Sequence, residues 1–305
     1  MPSLTGSHHE DVSFKTVDGL TLRGWLYPVA GKAPAVIMSP GFNCTKEMLL
    51  PDVASQFQLS GINALIYDPR SVGLSDGTPR NEIDPMKQTE DYSDALTYMS
   101  GLSSVDSSKI AFWGMSFGGT VAMCAAALDK RAKMCIAVCP LMTFYTDSRL
   151  RSVLNRCMID RQSQLRGNPP FSIAPFTANG VNPAGMADGG GLEAYEFMVN
   201  VRDKGAASFV NKTTIQSYYK IAMWQPRSIF KLVQTPVMML VPELDVISSP
   251  QDQMAAFDGL NGAKRAYMVK GQGHLNVLSG DEFLGLMERQ ADFINDVLEG
   301  TLDDC

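Results

Sequence analysis

Gly114-Met115-Ser116-Phe117-Gly118-Gly119 lies between the apolar run Lys109-Ile110-Ala111-Phe112-Trp113 and the Ala-rich run Thr120-Val121-Ala122-Met123-Cys124-Ala125-Ala126-Ala127-Leu128. The pattern G-x-S-x-G at such a junction describes a strained turn that lifts a serine hydroxyl out of a sheet. Glycines flank the serine because side chains there would collide with the neighbouring strand and helix. The preceding run reads as a buried strand and the following one as a buried helix. Strand, turn and helix together carry the reading, since the five-residue pattern alone recurs by chance.

The chain has three histidines, and His8 and His9 sit in a polar N-terminal stretch. His274, in Gly271-Gln272-Gly273-His274-Leu275-Asn276, is the one placed to activate Ser116. It follows the strand-like Ala266-Tyr267-Met268-Val269-Lys270. Between serine and histidine runs Val237-Met238-Met239-Leu240-Val241-Pro242-Glu243-Leu244-Asp245, a strand that ends in an acidic loop. The order serine, acid, histidine is that of α/β-hydrolases and not of chymotrypsin or subtilisin.

The rest of the chain fits that fold. Residues 12–17 and 20–27 alternate in hydrophobicity around Asp18-Gly19, which predicts an antiparallel hairpin. Short apolar runs at 35–38, 62–67 and 134–138 suit parallel strands covered on both faces. Helical patterns over 45–60, 84–99 and 116–128 alternate with them, and the rhythm resumes at 237 with 251–260, 266–270 and a final helix over 281–298. This is an α/β chain with a mostly parallel, doubly wound sheet. Residues 1–140 and 231–305 form the predicted core, and 141–230 a mainly helical cap insertion. In that insertion Leu150, Val153, Leu154, Cys157, Met158 and Leu165 recur at helical spacing. A Gly/Pro/Asn-rich loop over 167–191 and helical pieces over 193–201 and 206–224 follow.

With 305 residues the chain can bury a full core, and 45% apolar with 19% charged residues is ordinary for a soluble enzyme. No apolar run reaches the roughly 20 residues of a membrane span. The polar stretch 1–11 lacks the apolar region of a signal peptide, so a cytoplasmic location with reduced thiols is expected for the six cysteines. Cys135 and Cys139 are expected to share a strand face, too far apart to bridge. No Cys/His spacing suggests zinc, and neither metal nor cofactor is expected. A net charge of −6 argues against nucleic acid. Segment 141–230 departs from the average, with ten Lys or Arg against six Asp or Glu. Its +4 leaves about −10 for the remainder of the −6 chain. Solvated helix faces would account for this, as would a docking surface for something acidic.

A serine hydroxyl attacks a carbonyl only when an imidazole takes its proton. Ser116 is the candidate nucleophile, His274 the base that then protonates the leaving group, and Asp245 the acid that orients the imidazole. Glu243, two residues earlier, is the alternative acid; the pattern Pro242-Glu243-Leu244-Asp245-x-x-x-x-Pro250 favours Asp245. The oxyanion needs two donors. The expected pair is the N–H of Phe117, just after the nucleophile, and the N–H of Phe42 in Ser39-Pro40-Gly41-Phe42-Asn43-Cys44. Lys46 and Glu47 are expected to open the next helix, and Asp68 and Arg70 to brace loops. Aromatics from Phe144 to Trp224 are expected to be mostly packing, with a few lining an apolar pocket.

At Pro40-Gly41-Phe42, Tyr67-Asp68-Pro69-Arg70, Gly114 to Gly119, Asp245 and Gly273-His274 the chain resembles an α/β-hydrolase over nearly its whole length. It is similar to dienelactone-hydrolase-like and X-Pro-dipeptidyl-peptidase-like members. More closely, through Asp18-Gly19-Leu20-Thr21-Leu22-Arg23-Gly24-Trp25 and Gly41-Phe42-Asn43-Cys44-Thr45-Lys46-Glu47, it resembles the polyketide transferase group of fungal polyketide pathways. That resemblance implies release or transfer of an acyl chain from a carrier-protein thioester of a polyketide synthase. Ser71 and Pro242 stand where glycines are common in such patterns. The resulting expectation is a serine hydrolase or acyltransferase that passes through acyl-Ser116, with a small-molecule acyl substrate. A general carboxylesterase, a peptidase, and a non-hydrolytic cyclase or ligand-binding protein on the same fold are the alternatives. The cap and exposed apolar loops leave room for a homodimer.

Overall fold

The computed structural model describes residues 8–145, 147–186 and 190–302. Parts of the polar N-terminal stretch and of the glycine-rich loop lie outside the described residues. In chain order the first elements are β1 (Glu10–Lys15), β2 (Thr21–Tyr27), β3 (Ala33–Ser39), α1 (Leu50–Leu59), β4 (Asn63–Tyr67), α2 (Pro85–Ser100), β5 (Val105–Met115), α3 (Phe117–Leu128) and β6 (Met134–Val138). Next come α4 (Asp147–Leu165), β7 (Ser172–Ile173), α5 (Gly191–Asp203), β8 (Thr213–Thr214), α6 (Ile215–Met223) and α7 (Pro226–Phe230). The chain closes with β9 (Val237–Pro242), α8 (Pro250–Asp258), β10 (Lys264–Val269) and α9 (Phe283–Glu299).

Eight strands form one sheet in the order β1-β2-β4-β3-β5-β6-β9-β10. The β1–β2 and β2–β4 pairs are antiparallel and all the others parallel. This is the α/β-hydrolase sheet with its N-terminal hairpin. The period-two alternation of side chains sorts the core into two layers. Ile37, Leu65, Phe112, Cys135 and Met239 face α2, α3 and α8. Their chain neighbours Val36, Ile66, Trp113, Ile136 and Leu240 face α1 and α9. Because both faces are covered, the strands read as unbroken apolar runs. Trp113 can be buried since its indole N–H donates to Gln290 Oε1 of α9 at 2.7 Å. An orphaned donor there would cost about 1–3 kcal/mol.

The chain steps from β3 to β4 in one direction and returns past β3 to β5. The crevice at the carboxyl ends of β3 and β5 is therefore the topological switch point, where ligands of open α/β sheets bind. The loops after β3, β5, β9 and β10 all end there.

Several boundaries differ from the sequence expectation. Helix α1 begins at Leu50, not at 45, because Leu49 adopts a left-handed φ of 65° and Pro51 suits the first turn. The helix expected over 206–224 is confined to Ile215–Met223. Ahead of it, the β-branched pair Thr213-Thr214 joins β7 in a two-stranded ladder. Cys135 and Cys139 face opposite layers and not one. β6 ends at Val138, and the φ of 38° at Cys139 turns its side chain over. The five described cysteines are free and buried. Among the described residues no helix is long and apolar enough to cross a membrane.

Candidate active site

Ser116 sits between β5 and α3 with φ 57° and ψ −125°, a conformation that costs a non-glycine residue about 1–3 kcal/mol. Backbone bonds hold it there. Its N–H donates to Val138 O at 2.8 Å, and its carbonyl accepts from Gly119 and Leu141 at 3.0 and 3.1 Å. The flanking glycines are required by contact. A Cβ on Gly114 would lie 2.1 Å from Gly118 O, and one on Gly118 would lie 2.3 Å from Pro40 O. The turn is thus a close approach of three backbone segments, which only hydrogen at these Cα atoms permits.

His274 reaches the serine from the loop after β10. Its Nε2 lies 2.7 Å from Ser116 Oγ and its Nδ1 2.8 Å from Asp245 Oδ2. With Nδ1–H donating to the carboxylate, Nε2 is left to accept the serine proton. Asp245 is held by four donors in all. Oδ1 takes the N–H groups of Ile247 and Ser248 at 2.9 and 2.8 Å, while Oδ2 takes His274 and Gln253 Nε2, the latter at 2.9 Å. Glu243 faces elsewhere, accepting from Lys270 Nζ at 2.8 Å and from the Gly271 N–H at 2.9 Å. Burial opposes a charge on His274. The sulfur of Cys139 and the carboxylate of Asp245 outweigh it and hold the imidazole above its ordinary range.

Phe42 and Phe117 flank the serine on the two loops expected to supply oxyanion donors. A Cβ on Gly41 would lie 3.4 Å from Ser116 Cβ, so the backbone leading into Phe42 passes beside Ser116. Phe117 opens α3, where the first N–H groups lack intrahelical acceptors. The two rings meet edge to face at 5.6 Å. The loop after β3 is itself braced from β4. Asp68 accepts from the Lys46 N–H at 2.8 Å, from Lys46 Nζ at 2.9 Å and from the Leu74 N–H at 2.9 Å. Lys46 and Asp68 form a fully buried pair. Removing one partner of such a pair costs about 3–5 kcal/mol. Lys46 is therefore a brace, not the helix opener expected from sequence. Arg70 braces as expected, bonding Asp91 and Asp18.

A cavity of about 800 Å³, counting the space at its mouth, opens onto Ser116 and His274. Phe42, Met48, Met115 and Ile247 line it from the 1–140 and 231–305 parts of the chain. Phe176, Asn182, Met186, Ala194, Phe197 and Met198 line it from segment 141–230. The other aromatics of that segment mostly pack: Phe144 and Trp224 meet Phe117 edge-on or tilted. Two ties join the segment to the loop after β3. Asn43 Nδ2 donates to Val210 O at 2.9 Å, and Glu47 accepts from the Ser208 N–H and Oγ–H at 3.0 and 2.7 Å.

Sequence reasoning missed the residues behind the acid. Gln253 is fully buried on α8, and its Nε2 also donates to Ser248 O at 2.6 Å. Ser248 Oγ donates to Pro140 O at 2.7 Å, tying the acid loop to the segment after β6. Cys139 Sγ lies 3.7 Å from the carbonyl of His274. A polar residue on the buried stripe of α8 was the available signal for Gln253. Among the described residues no cluster of three His, Cys, Asp or Glu side chains could hold a metal.

Residues 25–276 match the X-Pro dipeptidyl-peptidase (S15) family. A thiohydrolase of Eupenicillium brefeldianum is 52% identical, over 96% of this chain and 96% of its own length. A polyketide transferase of Penicillium crustosum is 42% identical, over 95% of this chain and 98% of its own. Among solved structures, DcsB in complex with its substrate analogue aligns with a TM-score of 0.92 at 52% identity, covering 95% of this chain and 99% of that one. The α/β-hydrolase GrgF from Penicillium aligns with a TM-score of 0.87 at 39% identity, covering 96% and 99%.

Proposed function

The chain belongs to the α/β-hydrolases of the X-Pro dipeptidyl-peptidase (S15) family and groups with fungal polyketide transferases and thiohydrolases, and on that premise we propose that it moves acyl chains through an ester of Ser116. The observation that carries the reading is the unbroken row Ser116–His274–Asp245 opening onto an apolar cavity. The donor is a polyketide-type thioester, or a related ester, whose acyl chain lies among Met48, Met186, Phe176 and Phe197. Among the described residues the lining includes no Asp or Glu that would anchor a peptide amine, which favours an acyl donor over a peptide.

In this mechanism Ser116 Oγ attacks the carbonyl carbon as its proton passes to His274 Nε2. Asp245 stabilises the imidazolium, and the N–H groups of Phe42 and Phe117 receive the oxyanion. Collapse breaks the C–S bond, and His274 returns the proton to the departing thiol. Water, an alcohol or a carbon nucleophile, deprotonated by the same imidazole, then attacks the acyl-Ser116 carbonyl; collapse breaks the ester bond to Ser116 Oγ, and His274 returns the proton to that oxygen. Segment 141–230 acts as a cap that closes the cavity and excludes competing water.

Intact-protein mass spectrometry after a fluorophosphonate probe tests the reading. One adduct on the wild type and none on Ser116→Ala is expected. An unlabelled folded wild type would sink it and favour a binding or non-hydrolytic role.

A further inference from the structure

Helix α4 presents a face that no described part of the molecule uses. Its buried stripe, Val153, Cys157 and Asp160, is turned inward, and α4 packs on α6. The one described carboxylate of α4 is spent inside: Asp160 accepts from Gln164, Gln216 and the Phe171 N–H at 2.6, 2.7 and 2.7 Å. Arg151, Arg156, Arg161 and Arg166 are all exposed, and among the described residues none has a hydrogen bond or ion pair from its side chain. Several arginines and lysines elsewhere on the surface are paired, as in Arg23–Asp76, Arg131–Asp129, Arg265–Asp296 and Lys270–Glu243. In a chain with more carboxylates than cations, four arginines left without partners do no work for the fold.

Apolar side chains lie among them. Ile159 is 59% exposed, Leu165 83% and Phe171, just beyond the helix, 57%. Arginine mixed with aromatic and aliphatic groups is the composition of protein–protein contact surfaces. The face is also coupled to the cavity. Tyr145, two residues before the helix begins, pairs through its backbone with Met186 of the cavity wall. The methylenes of Arg149 fill the space beside Gly185, where a Cβ would lie 2.5 Å from Arg149 Cδ.

We propose that the outer face of α4 docks an acidic protein that delivers the acyl thioester to the cavity, a reading that rests on the acyl transfer proposed above. Charge selects the occupant. Segment 141–230 carries +4 while the remainder of the chain carries about −10. An acidic partner is repelled from most of the surface and drawn to this segment, which steers encounter toward one orientation. A helix of 19 residues, about 28 Å long, matches a protein surface and exceeds what a free thioester needs.

The test compares wild type, a variant with Arg151→Glu, Arg156→Glu, Arg161→Glu and Arg166→Glu together, and the matching Arg→Lys variant. The probes are an octanoyl-loaded acidic acyl carrier protein, the same carrier unloaded, and the octanoyl thioester of N-acetylcysteamine. The Glu variant is expected to lose about tenfold or more in kcat/KM on the loaded carrier and in affinity for the unloaded one. The small thioester should be turned over unchanged, and the Lys variant should retain most of the carrier activity. Equal affinity of wild type and Glu variant for the unloaded carrier would overturn the proposal. A dimeric wild type that the Glu variant converts to monomers would overturn it in favour of a self-interface. If wild type turns over neither thioester, the acyl-transfer reading fails, while the binding measurement still decides the docking surface.

Discussion

The sheet beneath Ser116 and segment 141–230 bury their residues by different rules. In β3, β4, β5, β6 and β9 nearly every residue is enclosed, and successive side chains alternate between two helix-covered faces. Segment 141–230 is enclosed on one side only and leaves Ile159, Leu165 and Phe171 in solvent. Groups that must sit within hydrogen-bond reach of one another come from the first region. Groups that shape the cavity come from both. Segment 141–230 thus adds to the cavity wall without contributing to the Ser116–His274–Asp245 row.

The largest expected effect breaks the first region at its most strained point. Ser116→Ala should lower turnover by about three orders of magnitude or more, with only residual catalysis from the oxyanion donors. Its melting temperature should stay near wild type, since the backbone conformation is kept. Ser116→Gly should lose the same activity and gain about 1 kcal/mol in denaturant unfolding, because glycine tolerates φ 57°. Loss of stability in Ser116→Gly would show that the turn carries no strain.

Glycine substitutions sharpen the contrast between the regions. In Gly118→Ala the new methyl meets a backbone carbonyl at 2.3 Å, and the cost should reach about 3 kcal/mol in chemical denaturation. Gly167, in the segment, has a left-handed φ of 88° but nothing within 4 Å of its Cβ position. Gly167→Ala should therefore cost only the conformational part, about 1 kcal/mol. Similar losses at both sites would mean that close approach does not set the Ser116 turn apart.

The support behind Asp245 gives a smaller, kinetic effect. Gln253→Leu removes the second donor to Asp245 Oδ2 while keeping a side chain of similar size. A fall of about tenfold in kcat with KM unchanged is expected. The pH profile separates positioning from loss of fold. The base must be neutral, and the His274 pKa is raised, so the acid limb of wild type should lie above the ordinary imidazole value of about 6.5. Gln253→Leu leaves the carboxylate less satisfied and more basic, which should move that limb further up. Asp245→Asn should move it down. The same sign governs folding: stability contributed by His274 is present below about pH 6.5 and lost as pH rises through the raised value. An acid limb unmoved in both variants would show that the carboxylate does not act on the imidazole.

What could be read in advance follows the same division. Continuous apolar runs and the crowded glycines of the Ser116 turn are local signals, because a strand covered on both faces leaves little choice of residue type. The chain order of Ser116, Asp245 and His274 needed no contact information. Gln253, Ser248 and Cys139 gave no comparable signal, since their roles arise from approach between elements 108 and 135 positions from one another or from the acid loop's own fold. The helix expected over 206–224 failed for a related reason. Its apolar residues fit helical spacing, yet Thr213 and Thr214 found strand partners some forty positions earlier, at Ile173 and Ser172. In a region covered on one side only, periodicity leaves such competition open.

The weakest expected effect concerns the seam between the two regions. Glu47 accepts two bonds from Ser208, and Asn43 reaches Val210 beside it, so the loop that carries Phe42 is tied to segment 141–230. Glu47→Gln retains an acceptor but removes the charge, and about 1 kcal/mol of stability should be lost from a half-exposed, charge-assisted contact. If the seam transmits cap position to the oxyanion loop, KM for a long acyl thioester should rise several-fold while a short acetyl ester is unaffected. An equal change for both substrates would place the effect in the oxyanion loop alone and leave the cap without a part in selecting chain length.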